Sequence, residues 1–351
     1  MNRVVAFGSY VGLLCLLAMP AAADDLVYLK GGRRVRGSVR SEGPTEVVIT
    51  TAEGATRRLS VDQVERIQYD GPTGAVLAQA WFKERAGNYE DAVQSYERAL
   101  RQAPEGSFVR IAAEFARARA LAKWAQVDPA KATDAEGALK QFIAQHRNTR
   151  HYYPALNWLY RVQLALGKTD VAQQTLAELE QSPVAGFQVE AALARAELLM
   201  RGGNVDEAAA ILADLSGKEN LSDELKLRIR LLMAEVKAAR GEVEEAVKEL
   251  RVVIDSAPPE NETVNARAFL TLGRVYERAD KVMDAILAYL YVDLMLPEAA
   301  QYRAEALARL SDLWARAGRP DRARQARELL LQEYPNSQWA RQLASSTQDQ
   351  E

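Results

Sequence analysis

A chain of 351 residues that is 48% hydrophobic and 26% charged holds enough apolar matter for a folded core, which excludes global disorder. Its formal net charge of -3 is close to zero for this length and argues against a nucleic-acid binder that works by neutralising phosphates. The length suits two or three compact domains, or one small domain and an extended array.

Residues 1–23 have the order of a secretory signal peptide. Arg3 gives the positive start, Val4 to Leu17 is an uncharged run, and Ala21-Ala22-Ala23 supplies the small residues of a cleavage site. About 20 uncharged residues could also stay as a membrane anchor. Pro20 and the alanines make the end of the run a poor membrane helix, so cleavage before Asp24 is expected. That implies a periplasmic or secreted chain with no membrane span after cleavage. A lipid anchor on Cys15 is set aside, because Leu14 rather than a small residue precedes it. Cys15 is the only cysteine, so the segment from Asp24 onward has no disulfide, thiol nucleophile or cysteine-ligated metal.

From 24 to 71 the pattern is that of short strands. Leu26–Leu29, Arg33–Val39, Glu46–Thr51 and Arg57–Ser60 are separated by Gly31-Gly32, Glu42-Gly43-Pro44 and Glu53-Gly54. Val35, Gly37 and Val39 alternate with polar residues, the period of a half-buried strand. A single helical turn at Ser60–Gln63 and a last strand at Val64–Tyr69 complete a small SH3-like or Sm-like barrel. Leu29 to Asp70 resembles modules that precede helical repeats in secreted proteins of some Gram-negative lineages. Arg34, Arg36, Arg40, Arg57 and Arg58 form a candidate basic ridge for an anionic partner. Eight Lys/Arg against eight Asp/Glu leave the segment neutral overall, so the ridge could equally be the charged outer face any small barrel needs.

Gly71-Pro72 and Gly74 mark the boundary, and from 72 to 343 apolar residues recur at helical spacing. Small residues that open every second helix align at Ala92, Ala172, Ala208, Ala246, Ala285 and Ala323, and the steps after Ala172 are 36, 38, 39 and 38 residues. The fullest copy is Ala266 to Pro297. Phe269, Leu272, Gly273 and Tyr276 share one face of its first helix, Ala285, Tyr289 and Val292 face inward from its second, and Pro297 ends it. Gly273 should let the two helices close on each other, with Tyr276 and Tyr289 filling the gap. This pattern resembles the tetratricopeptide (TPR) repeat, whose period is about 34 residues. The extra residues fall in the connections. Seven helix pairs are expected, the weakest between Phe108 and His146, with Ala138 and Phe142 as its best matches. Glycine or asparagine at the turns should supply left-handed backbone. Tyr334-Pro335-Asn336-Ser337 resembles the closing motif of TPR proteins in Gram-negative envelope assembly and division, and 344–351 reads as a polar tail.

No catalytic motif or phosphate-binding loop is present, and catalytic residues, metal and cofactor are all expected to be none. His146 and His151 read as solvated loop histidines, and the carboxylates as charge-paired surface. The resemblance implies a concave groove lined by first helices. Repeat register puts Asn157, Arg161, Glu197, Arg228, Glu235, Arg267, Arg274, Arg278 and Arg316 on it. The arginines could hold a carboxylate-bearing peptide, with Glu277 and Asp312 as neutralising neighbours in the simpler reading. A mainly α protein results, a TPR-like solenoid behind a small β-barrel. Its expected role is a non-catalytic periplasmic scaffold for other proteins, with envelope assembly or transport as the context. The alternative is a cell-wall or polysaccharide binder through the barrel, with the repeats as spacer. Oligomeric state stays open.

Overall fold

The computed structural model describes residues 24–219, 221–259, 261–296 and 299–348. The expected signal segment, the helix-ending Pro297 and the last three residues of the expected tail lie outside them.

Five strands come first: β1 (Asp25–Leu29), β2 (Arg34–Glu42), β3 (Glu46–Thr51), β4 (Thr56–Ser60) and β5 (Val64–Gln68). They form one antiparallel sheet in the order β4-β3-β2-β1-β5, with a 3-10 turn, Val61–Gln63, before β5. Val27, Val35, Val39, Val47, Ile49 and Ile67 point to its core. A Cβ on Gly37 would stand 2.2 Å from the Thr50 carbonyl oxygen, so β2 and β3 approach closely only because that position is bare. Register shifts between Val39 and Ser41, leaving Arg40 as the extra residue of a bulge. Simple alternation would put Glu42 outside with Arg34 and Arg36. The bulge turns it to the buried side, opposite Val47.

Fifteen helices follow among the described residues, seven hairpins and a cap. The hairpins are α1 (Gly71–Arg85) with α2 (Tyr89–Gln102), α3 (Phe108–Val127) with α4 (Ala132–Gln145), α5 (Tyr152–Ala165) with α6 (Thr169–Glu180), and α7 (Ala185–Arg201) with α8 (Val205–Ser216). Then come α9 (Asp223–Ala239) with α10 (Val243–Ser256), α11 (Glu262–Arg278) with α12 (Val282–Met295), and α13 (Ala300–Arg316) with α14 (Pro320–Glu333). Helix α15 (Gln338–Gln348) packs Ala340 and Trp339 against α13 and α14 and runs past Leu343, where the expected tail begins.

The aligned alanines all face the hairpin interiors, Ala92, Ala172, Ala208, Ala246 and Ala285 without exposure. In the third and fourth helices the buried small residue is Ala135, not Ala138, which is half-buried. Six hairpin turns close with the same bond, from the residue after the left-handed position back five residues. Asn88 donates to Lys83, Lys168 to Gln163, Asn204 to Leu199, Glu242 to Lys237, Lys281 to Tyr276 and Arg319 to Trp314. Glycine holds the left-handed position in five of these turns, and Asp280, with φ 55°, holds it in the sixth. The α3–α4 connection instead uses Asp128, whose side chain caps a Pro129 3-10 turn, which is why its sequence signal is weak.

Polar bonds twelve residues apart fasten the two helices of several hairpins. Tyr96 donates to Glu84 at 2.6 Å, Thr175 to Gln163 at 2.8 Å, Lys237 to Glu249 at 3.1 Å, and Tyr289 to Glu277. Gly273 meets the ring of Tyr289 so closely that a Cβ would lie 2.5 Å from Cζ, the tight approach expected from sequence.

Candidate functional site

Two polar assemblies tie the elements of the molecule together. The first joins the sheet to the array. Glu42 of β2 accepts from Arg150 Nε at 2.5 Å and from the Tyr69 hydroxyl at 2.7 Å, and its carbonyl accepts from the Arg150 amide at 3.2 Å. All three residues are buried. Burial, then the charge of Glu42, holds the Tyr69 hydroxyl well above its ordinary range, so it stays a donor. Around them Arg66 lies over Tyr28 and Trp81, and Asp62 closes on Gly186 at the start of α7. The β-module is thus packed onto the array as one body.

The second assembly lies along the first helices of the later hairpins. Arg267 of α11 donates to Glu235 of α9 at 3.1 and 3.0 Å and reaches past it to Glu197 of α7 at 2.7 Å. Thr271 also donates to Glu235. Arg228 of α9 holds Glu190 of α7 at 2.6 Å. Burial opposes the charge on Glu197, but Arg267 and Arg161 outweigh it and take its carboxyl down to about 2. Tyr302 of α13 faces the charges of Arg267 and Arg161, so α5, α7, α9, α11 and α13 converge on one charged interior. A bond from Asn336 to Asp128 at 3.3 Å brings the last repeats back to the third helix, and α13 contacts α3. The array therefore curls tightly.

The expected groove residues occupy this surface in different ways. Arg161 bonds Asn157 on its own helix, and Arg228 and Arg267 are locked between repeats. Arg274 pairs with Glu305 of α13 while remaining half-exposed, and Arg278 donates to the Ala238 carbonyl. Arg316 makes an exposed pair with Asp280. The direct partners are Glu190, Glu197, Glu235, Glu305 and, at Arg316, Asp280, while the expected Asp312 faces the charge of Arg316. Glu277 accepts from Tyr289 instead. Sequence reading overlooked Glu190, Glu305 and Tyr302. Glu190 lies seven residues before Glu197 on the same helix face, a signal that could have found it.

On the sheet, the basic residues do not share one face. Arg34, Arg36, Arg40 and Arg58 lie outside, with Arg40 bonded to Thr50 and Arg58 paired to Glu46. Arg57 stands opposite core-facing Ile49, because successive strand residues alternate.

The histidines are not solvated, against expectation. His151 is buried, stacks on Phe115 at 4.6 Å and leaves Nε2 without a hydrogen-bond partner. Burial, then Arg150 and Arg119, pushes its imidazole well below the usual range, so it is neutral. His146 Nε2 meets Glu114 at 2.6 Å. A cavity of 220 Å³ lies beside His151, between β5, α1, α3 and α5, with Trp81, Phe115, Arg119 and Trp158 in its wall. Not every carboxylate is surface either. Glu84 is buried between Arg119, Lys123 and Tyr96; burial opposes its charge, and the two cations outweigh that and bring it to about 2. Among the described residues no group of three or more His, Cys, Asp or Glu could hold a metal ion, and no helix is long and apolar enough to cross a membrane.

Models of the tetratricopeptide repeat match residues 75–106 and 159–217. No curated protein matches the chain. Among solved structures the chain is similar to a tetratricopeptide repeat protein from Parabacteroides merdae, 15% identical, covering 74% of this chain and 91% of that one at TM-score 0.46. It is similar to human IFIT1 with m7Gppp-AAAA, 14% identical, covering 79% of this chain at TM-score 0.58 and spanning 62% of that chain. PilW, a type IV pilus biogenesis factor, is 15% identical, with 78% and 98% covered at TM-score 0.38. At such identities the likeness is one of fold. Residues 75–106 and 159–217 thus carry tetratricopeptide repeats, within a helical array preceded by a five-stranded antiparallel β-module.

Proposed function

We propose that this chain is a non-catalytic scaffold that holds another protein, exported across the inner membrane with removal of residues 1–23 and working in an envelope-assembly or transport complex. The observation that carries the reading is the charged interior of the array, where arginines and glutamates from five first helices converge. Arg274 is an accessible point on it that joins two first helices. Its side chain is 41% exposed, and its one partner, Glu305, is a carboxylate that an acidic segment of a bound protein can replace.

The human IFIT1 structure, of similar fold, holds m7Gppp-AAAA. Here the interior arginines are matched by Glu190, Glu197, Glu235 and Glu305, which leaves little uncompensated positive charge for a phosphate chain. The reading therefore favours polypeptide.

Affinity capture with crosslinking from envelope fractions tests it, comparing wild type with Arg274→Glu/Arg278→Glu and with Arg34→Glu/Arg36→Glu. Loss of defined proteins with the first variant supports the interior. Loss with the second alone moves the partner to the β-module, and capture of none by wild type removes the scaffold reading. Point changes are preferable to deleting the β-module, which would strand Arg150 without Glu42. A mature N-terminus at Asp24 in the periplasmic fraction is the matching test of location.

A further inference from the structure

The outward faces of the second helices offer an internal comparison. On α10 the exposed positions are Glu244, Glu245, Lys248, Arg251, Asp255 and Ser256, and α2, α4 and α8 likewise expose only polar or small residues. Val171 on α6 and Leu331 on α14 are single exceptions. Helix α12 breaks the pattern. Met283, Leu287, Tyr291, Leu294 and Met295 are all exposed there, five of the eight exposed large hydrophobics among the described residues. Tyr291 is pinned by Phe269, stacked at 3.8 Å. The same structural position in six other repeats shows that the fold does not require an apolar surface here.

We infer that α12 is the contact helix of a homodimer, packed antiparallel against α12 of a second copy. Three features of the stripe select that occupant. Met283, Leu287, Tyr291 and Met295 are spaced by four, so a two-fold axis near Tyr289 sets Met283 against Met295 of the second copy and Leu287 against its Tyr291. Rows spaced by four interdigitate at a crossing angle of about -50°, the commonest helix packing.

The area also suffices. With roughly 200 Å² for a fully exposed side chain of this size, the stripe presents about 550 Å² of apolar surface, at the upper end of what a monomer carries. Two copies would together bury roughly 1,100 Å², above the ~1,000 Å² of a specific interface. The third feature is charge. Helix α12 contains Asp284 and Asp293 but no Lys or Arg, which disfavours an anionic lipid surface. A net charge of -3 on the whole chain sets little repulsion between copies. The inference is independent of the partner assigned to the interior.

Sedimentation equilibrium of the full chain between about 1 and 100 μM tests it, in the micromolar range of an interface of this size. The expected result is a mass that doubles across the range. Leu287→Glu should weaken the dimer at least about tenfold, as a charge placed in the centre of an apolar contact does. Lys248→Glu on the outer face of α10 should leave the mass unchanged. Both residues are exposed in one copy, so thermal unfolding should be preserved, and Met283→Lys/Met295→Lys is the second variant should Leu287→Glu fold poorly. A chain that stays monomeric at 100 μM overturns the inference, as does a dimer that survives both α12 variants. Binding of the monomer to phosphatidylcholine vesicles, abolished by Leu287→Glu, overturns it in favour of a lipid surface.

Discussion

Glu42 and Arg150, 108 residues apart, form a buried ion pair across the boundary between the sheet and the helical array. Tyr69 completes the site by donating to the other carboxylate oxygen. The pair makes the β-module part of the fold of the repeats. Removing one member leaves a buried charge unmatched, which costs about 3–5 kcal/mol. Glu42→Ala is therefore expected to lower the urea midpoint of the whole chain in one transition. The double change Glu42→Gln/Arg150→Met should recover much of the loss. A separate early transition for residues 24–70 would contradict the coupling.

Stability should fall in two steps as pH drops. His151 is held neutral, its folded-state pKa below the unfolded value of 6.5. The stabilising contribution is thus complete above 6.5 and declines below it, at up to about 1.4 kcal/mol per pH unit for one proton. Glu84 and Glu197 are depressed from 4.5 to about 2, so their contribution is present above 4.5 and is lost between there and 2. Denaturant titrations at pH 7.5, 5.5 and 3.5 measure both steps. His151→Phe should flatten the first and leave the second.

The hairpin of α11 and α12 gives two glycine tests of opposite sign. Ala normally favours a helix over Gly by about 1 kcal/mol. At Gly273 that gain is opposed by a clash with the fully buried ring of Tyr289. Gly273→Ala should destabilise by a net 1–2 kcal/mol, in the range of overpacking costs. At Asp280 the left-handed backbone is occupied by a residue with a Cβ, and its ion pair with Arg316 is exposed. Asp280→Gly should stabilise by roughly 0.5 kcal/mol, the conformational gain less a small surface-pair loss. Thermal unfolding of the two variants reads both signs.

What the sequence discloses here is the local part of the fold. Gly87, Gly167, Gly203, Gly241 and Gly318 mark turns because left-handed backbone is a property of one residue. The α3–α4 turn has no such residue and its small position was misplaced by three, to Ala138. Contacts between repeats were less legible. Which carboxylate meets Arg267 depends on how far the array curls, and the Glu197 partner is two repeats away. The inward turn of Glu42 depends on a bulge that alternation cannot register. His151 is buried because Phe115 and Phe142 come from two other helices to cover it.

The arginines of the interior should divide by what they hold. Arg267 is three-quarters buried and joins α7, α9 and α11 through two carboxylates. Arg267→Met would leave Glu197 and Glu235 without their main counter-charge, at a cost of about 3 kcal/mol. Arg316→Ala removes one exposed pair whose Asp280 partner is 84% exposed, and surface pairs of this kind contribute about 0–1 kcal/mol. Arg274 lies between them, half-exposed, with a single partner. Its replacement should shift the unfolding midpoint by less than that of Arg267 while changing the charge an incoming segment meets. Urea unfolding of Arg267→Met, Arg274→Ala and Arg316→Ala checks the ranking. A small effect at Arg267 would mean that the interior pairs are exchangeable throughout, and would widen the binding surface from Arg274 to the whole row.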